Sequence, residues 1–192
     1  MRMSSVLSLH DLPWAELQAA RLDGELYAVD ECFCPIDEPG GGRQRALALS
    51  AIVPRRLIVE LHSAAWVWGA TDRPPARHRL CADITARSRP PIGTAILREV
   101  VVDPGDVEML GRLRITTPLR TAVDLARLDD VDLTIIDRLF TLGGFDLDAC
   151  RALIERRRNL PDKRRALDRL ERGYQRSVAR STESADQPPV TR

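Results

Sequence analysis

The chain is 192 residues long, 44% hydrophobic and 30% charged, with a formal net charge of +1. These values exclude a disordered or fibrous chain and leave room for one full domain, or one domain with a small second module. No apolar run reaches the length of a membrane span, and the start "MRMSSVLSLHDLP" lacks the apolar stretch of a signal peptide. A cytoplasmic protein with no membrane partner is therefore expected.

Charge is unevenly placed. Residues 1–50 hold eight acidic and four basic side chains, whereas 151–180 hold eleven basic and four acidic. The basic block reads either as an arm touching nucleic acid or an acidic partner, or as a solvated helix face. Lys163 is the only lysine, so nearly all the positive charge sits on guanidinium groups, which bind anions bidentately. Cys32, Cys34, Cys81 and Cys150 form no C-x-x-C pair, and His10, His62 and His78 are not spaced to complete a zinc site. Buried thiols are expected, with no metal and no cofactor.

In chain order, "LPWAELQAARL" makes a short amphipathic helix ended by Gly24, and "ELYAV" alternates as a short strand. A helix, a glycine and a strand form either the last helix and wing of a winged helix or an ordinary helix–strand unit. "CPIDEPGGGRQ" is a turn-rich connection and the best boundary for an N-terminal module. Residues 43–52 favour a helix closed by Pro54, and "RLIVEL" reads as a buried strand. In "HSAAWVWG", Ser63 is placed to cap a short helix and Gly69 to end it, with Trp66 and Trp68 as core anchors. "LCADIT" and "ILREVVV" are strands around the connection "ARSRPPIG"; "DPGD" is a turn and "GRLRI" a further strand. Helices are expected over roughly 118–128, 131–142, 146–158 and 162–178, with "GG" at 143–144 as a stop and a frayed tail from 181.

Neither G-x-x-x-x-G-K-[ST] nor G-x-G-x-x-G occurs, and there is no G-x-S-x-G elbow or H-E-x-x-H helix. Asp124, Asp129, Asp130 and Asp132 cluster around a helix end, where acids act as caps, and Lys163 is remote from them in sequence. A non-enzymatic protein with no catalytic residue is expected.

"ITTPLRTAVDLAR" (115–127) is the densest motif. Thr117 before Pro118 is a capping residue with proline at the first helical position. Leu119, Ala122, Val123 and Ala126 form one apolar stripe, and Thr121 lies within the same run. Arg120 and Asp124 are four apart, but the base precedes the acid, which is the weaker order on a helix. A tertiary role for Arg120, fastening the helix through its fork of donors, is the better explanation.

"LHSAAWVWGA" (61–70), several strands, then "GRLRITTPLRTAVDLAR" (111–127) together resemble the AbiEi-like antitoxins of type IV toxin–antitoxin systems, in their actinobacterial form. The matching positions are Ser63, Trp66, Gly69, Thr117, Pro118, Arg120, Thr121 and Asp124. The resemblance implies a transcriptional-regulator antitoxin, DNA as one partner and a nucleotidyltransferase-type toxin as another, with no oligomeric state specified. The chain departs from the family in having only eleven residues before Leu12, which suffice for the last helix and wing of a winged helix but not the whole. It also departs from the many relatives that continue into a Vsr-like endonuclease, because "ARSTESADQPPVTR" resembles the start of that domain and the sequence then stops. A nuclease-less form, a truncated or degenerate member of the nuclease-fused group, and an interaction protein of unknown role are all compatible with it.

The expected fold is α+β, a small mixed sheet flanked by helices, with a C-terminal helical extension and a vestigial winged-helix-like N-terminus. Its parts are a partial winged-helix-like module (1–36), an α+β core (43–145), basic helices (146–180) and a flexible tail (181–192). Binding to DNA, weak and salt-dependent, or to the toxin is assigned to Arg156, Arg157, Arg158, Lys163, Arg164 and Arg165.

Overall fold

The computed structural model describes residues 5–84, 95–157 and 160–185. The fold is α+β, and the chain divides into two compact units, Met1–Thr116 and Thr117–Arg192.

The first unit opens with α1 (Trp14–Leu22) and a hairpin of β1 (Leu26–Val29) and β2 (Cys32–Pro35). Val29 pairs with Cys32, so the turn is Asp30–Glu31, with Asp30 at φ 57°, a conformation Asp tolerates better than most residues. Leu17 is the buried residue of α1 and packs with Leu7, Leu26 and Phe33. The helix-plus-wing reading therefore gains a second strand. Its last two residues, Cys34 and Pro35, fall in the segment expected as a connection; Cys32, Phe33 and Cys34 are all buried, and a strand buried on both faces shows no alternation. Val29, Cys32 and Cys34 share one core with Leu49 and Val53.

Next come α2 (Gly42–Ile52), β3 (Ile58–Val59), α3 (Leu61–Trp68), β4 (Arg79–Asp83), β5 (Ile96–Val100), a 3-10 turn at Pro104–Asp106, β6 (Val107–Leu110) and β7 (Leu113–Thr116). The five-stranded sheet has the order β5-β4-β3-β7-β6, with β4/β5 and β3/β7 parallel and the other pairs antiparallel. Gly42 is required by packing: a Cβ there would lie 2.9 Å from the Val67 carbonyl, where α2 meets α3. The strand expected over "RLIVEL" is only two residues long. Leu61, at φ 51°, turns the chain into α3 immediately after Glu60. Such a conformation costs roughly 1–2 kcal/mol for a residue with a Cβ. Strand β6 went unread because its half-buried and exposed residues carry little apolar pattern. The connection "ARSRPPIG" lies outside the described residues, as does the tail beyond Ala185.

The second unit is four helices: α4 (Pro118–Ala126), α5 (Leu133–Gly143), α6 (Leu147–Arg156) and α7 (Lys163–Ala185). Asp132 caps α5 by accepting from Thr134 N–H at 2.8 Å, and Asp146 caps α6 by accepting from Ala149 N–H at 2.8 Å. That hydrogen bond to Thr134 holds the Asp132 carboxyl below the usual carboxylate range. Helix α4 packs with α5, α6 and α7, around Ile136, Leu139, Phe140, Leu153, Ile154, Ala166 and Leu170. It thus groups with the C-terminal helices. Helix α7 also extends beyond the expected end near 178, to Ala185.

Helices α5 and α7 pack closely at Gly173, where an added Cβ would lie 2.6 Å from Ile136 Cγ2. Overpacking of this kind costs about 1–3 kcal/mol. Gly173→Val should therefore lower stability by that amount in urea unfolding; an unchanged midpoint would show that the two helices do not meet there.

Candidate functional site

The polar residues of the 115–127 motif are engaged in holding helices. Thr117 Oγ1 accepts from Arg120 N–H at 3.2 Å, and Pro118 occupies the first helical position. The Asp124 carboxylate lies between two guanidinium groups: Arg120 Nε at 2.7 Å from Oδ2 and Arg127 Nη1 at 3.0 Å from Oδ1. Arg120 and Asp124 side chains are only 5% and 2% exposed. Burial changes the value of the pair. On an isolated helix it is worth a few tenths of a kcal/mol, whereas removing one partner of a buried pair costs about 3–5 kcal/mol.

Arg127 extends this network by donating from Nε to the Pro161 carbonyl at 3.0 Å. Two arginines of α7 complete it. Arg165 pairs with Asp129 and Asp162 and donates from Nη2 to the Arg127 carbonyl at 2.8 Å. Arg169 donates to the carbonyls of Ala126 at 3.3 Å, of Leu128, and of Asp129 at 2.7 Å. These are carbonyls that a helix end leaves without intrahelical partners, and cations are favoured there by the helix dipole. Deeper in the unit the fully buried Asp137 carboxylate meets Arg180.

The six basic residues assigned to binding separate accordingly. Arg165 is held within the unit, Arg157 is half-buried, and Arg158 lies outside the described residues. Arg156 and Arg164 are exposed and Lys163 is half-exposed, and none of the three forms an ion pair among the described residues.

In the first unit Ser63 does not cap α3. Glu60 is the residue before the helix, and Ser63 is fully buried inside it. Its Oγ accepts from Arg79 N–H at 2.9 Å and lies 3.1 Å from His78 Nδ1, while His78 Nε2 lies 3.0 Å from Asp30 Oδ2. With the proton on Nε2, a single direction runs from Ser63 to His78 to Asp30. The order is that of a hydrolase relay, but a nucleophile must reach a substrate atom at about 3–3.5 Å. Ser63 has no exposed surface and a second hydrogen bond on its oxygen, so the chain of bonds ties the hairpin turn to α3 and β4. Glu60, 2% exposed, is gripped by Arg98 Nε at 2.5 Å and Nη2 at 2.6 Å.

Trp66 is buried beneath Arg45, whose guanidinium lies 5.6 Å from the ring and donates to the Trp66 and Thr71 carbonyls at 2.6 and 3.1 Å. Trp68 Nε1 donates to the Thr116 carbonyl at 2.8 Å, and Gly69, at φ 92°, ends the helix. All four cysteines are free and buried. Burial pushes the Cys32 thiol up to about 11 and the Cys150 thiol up to about 12, so neither provides a thiolate near neutral pH. Burial also holds the His62 imidazole below its ordinary range, helped by Arg79. Among the described residues, no group of His, Cys, Asp and Glu could hold a metal ion.

Sequence reasoning did not find Asp30, His78, Glu60, Arg98 or Arg169. Asp30 and His78 are 48 positions apart, and Glu60 and Arg98 are 38 apart. No local spacing signals such pairs.

These features define a small α+β domain whose motif side chains are committed to packing and hydrogen bonding. Residues 57–132 match the family model of the AbiEi antitoxin C-terminal domain, an antitoxin family that is in general non-enzymatic. The match runs from β3 through α4 and takes in the whole 115–127 motif. No curated protein matches the chain. Among solved structures, the chain is similar to the RV2827C protein from Mycobacterium tuberculosis, at 14% identity and a TM-score of 0.38, over 98% of this chain and 78% of that one.

Arg120→Ala should destabilise the second unit by about 3–5 kcal/mol, and Arg120→Lys by less, because it keeps the charge and loses the planar fork. Urea unfolding of both variants measures this; midpoints equal to the parent's would show that Arg120 does not hold the fold.

Proposed function

We propose that the chain is a non-enzymatic, antitoxin-type regulator that acts by binding a nucleotidyltransferase-type toxin, DNA, or both. The antitoxin match over residues 57–132 supports the toxin partner. The surface proposed for contact is the α6–α7 junction, with Arg156, Lys163 and Arg164. One observation carries this choice. Arg151, Arg165, Arg169, Arg172 and Arg180 bond carboxylates or carbonyls of the same unit, while those three cations remain unengaged at the surface among the described residues.

DNA contact through them would be to phosphates, with the strong salt dependence that such contacts carry. Readout by α1 has little support: its exposed positions include Trp14, Ala15, Glu16, Ala19 and Leu22, with Arg21 as its single base.

The test is the combined Arg156→Glu, Lys163→Glu, Arg164→Glu variant. It should keep its melting temperature, lose growth rescue when co-expressed with the adjacent gene product, and lose retardation of promoter DNA. In the parent the logarithm of affinity should fall with the logarithm of salt by about 0.9 per phosphate contact. Full rescue and unaltered retardation by the charge-reversed variant would refute this surface.

A further inference from the structure

The β1–β2 hairpin of the first unit and the start of α2 enclose a small polar cavity of about 180 Å3. Its wall includes Gly40 and Gly41 and the side chains of Asp30, Gln44, Arg45 and Trp66. A cavity of this size has room for about six waters. That is too little for a nucleotide or a drug-sized cofactor.

Three polar groups on this wall have bonding capacity left over. Arg45 uses one nitrogen, Nη1, for the Trp66 and Thr71 carbonyls, and the Trp66 ring supports its guanidinium. Its Nε and Nη2 form no bond among the described residues. Asp30 uses Oδ2 for His78, and its Oδ1 has no bond among the described residues, although the side chain is only 11% exposed. Gln44 is 4% exposed, yet its amide makes a single long contact, 3.5 Å from Nε2 to Glu38 Oε2. Its Oε1 makes none among the described residues. Polar atoms this enclosed are rarely left without partners. Three such groups on one cavity wall mark a place where a ligand completes the bonding.

The charges select the ligand. Arg45, Asp30 and Asp72 are the charged residues of the lining, and the exposed Asp72 is already engaged. One guanidinium edge, one carboxylate oxygen and one amide remain. A simple anion would suit Arg45 but face Asp30, and a simple cation would suit Asp30 but face Arg45. A molecule carrying both charges suits both. The Nε–Nη2 edge of a guanidinium matches a carboxylate, a carboxylate oxygen matches an ammonium, and an amide both donates and accepts.

We infer that this cavity binds a small free amino acid. Its carboxylate lies on the Nε–Nη2 edge of Arg45, its ammonium on Asp30 Oδ1, and Gln44 bonds beside them. The volume limits the side chain to roughly the size of that of alanine or serine. The inference goes beyond the function proposed above and uses none of the α6–α7 cations, so the two stand or fall separately.

The full chain, isotopically labelled, is titrated with L-alanine while NMR follows the side-chain N–H signals of Gln44 and Arg45. Both should shift and saturate. Acetate and ethylamine each carry one of the two charges and should bind at least about tenfold more weakly. Arg45→Met should weaken L-alanine binding by about tenfold or more. Gly41→Val provides an independent variant should Arg45→Met fail to fold. Gly41 is extended, at φ 173°, and an added Cβ would have only Gln44 Oε1 within reach, at 3.9 Å. A valine there narrows the cavity and should weaken binding comparably, and circular dichroism checks both variants. The Arg156, Lys163, Arg164 charge-reversed variant should bind L-alanine as the parent does. Absence of a saturable shift, or acetate or ethylamine binding as tightly as L-alanine, would overturn the site. So would an affinity unchanged in a folded Arg45→Met or Gly41→Val variant.

Discussion

The buried Asp124 carboxylate, flanked by Arg120 and Arg127, is the constraint on which the second unit depends. A carboxylate that is 2% exposed must have its charge matched in place, and the guanidinium groups of Arg120 in its own helix and of Arg127 just after it do so. Arg127 then reaches the Pro161 carbonyl, and Arg165 and Arg169 return from α7 to the carbonyls at the end of α4. The result is a continuous polar seam between the end of one helix and the start of another. Apolar packing supplies the attraction between these helices, and the seam fixes their register.

The first unit uses buried charge in a similar way, at two places where its backbone is strained. Leu61 adopts a left-handed conformation directly after Glu60, whose carboxylate is held by Arg98. Asp30 does so in the hairpin turn, and its carboxylate is held by His78, which is held in turn by Ser63. In each case a long-range bond secures a local conformation that would cost roughly 1–3 kcal/mol alone. The helix–hairpin is thereby fixed to the same core as the sheet.

Elements with strong local chemistry were legible in the sequence. Thr117–Pro118 marked the start of α4, Gly69 the end of α3, and Asp132 and Asp146 stand as caps where helices were expected. The apolar content of "LCADIT" and "ILREVVV" sufficed for β4 and β5. What was not legible depended on distance or on two-sided burial. Strand β2 has no alternation because both of its faces are covered, and β3 is cut to two residues by a positive φ that only the surrounding fold maintains. Ser63 looked like a cap because it sits near a helix start, but its hydroxyl serves Arg79 and His78. The basic block was read as one surface. Only the structure separates Arg165, which holds α7 to α4, from Arg156 and Arg164, which are left at the surface.

The motif of the antitoxin match supports the scaffold of the second unit. The central claim is that Asp124 and its arginines order the junction of α4 and α7 and meet no ligand. Hydrogen exchange of the parent and of Asp124→Asn, followed by mass spectrometry, tests this most directly. The account predicts faster exchange over residues 118–127 and 163–170, with the sheet of the first unit unchanged. Exchange equal to the parent's over both segments, with partner or DNA binding lost, would contradict it and place Asp124 in the binding site.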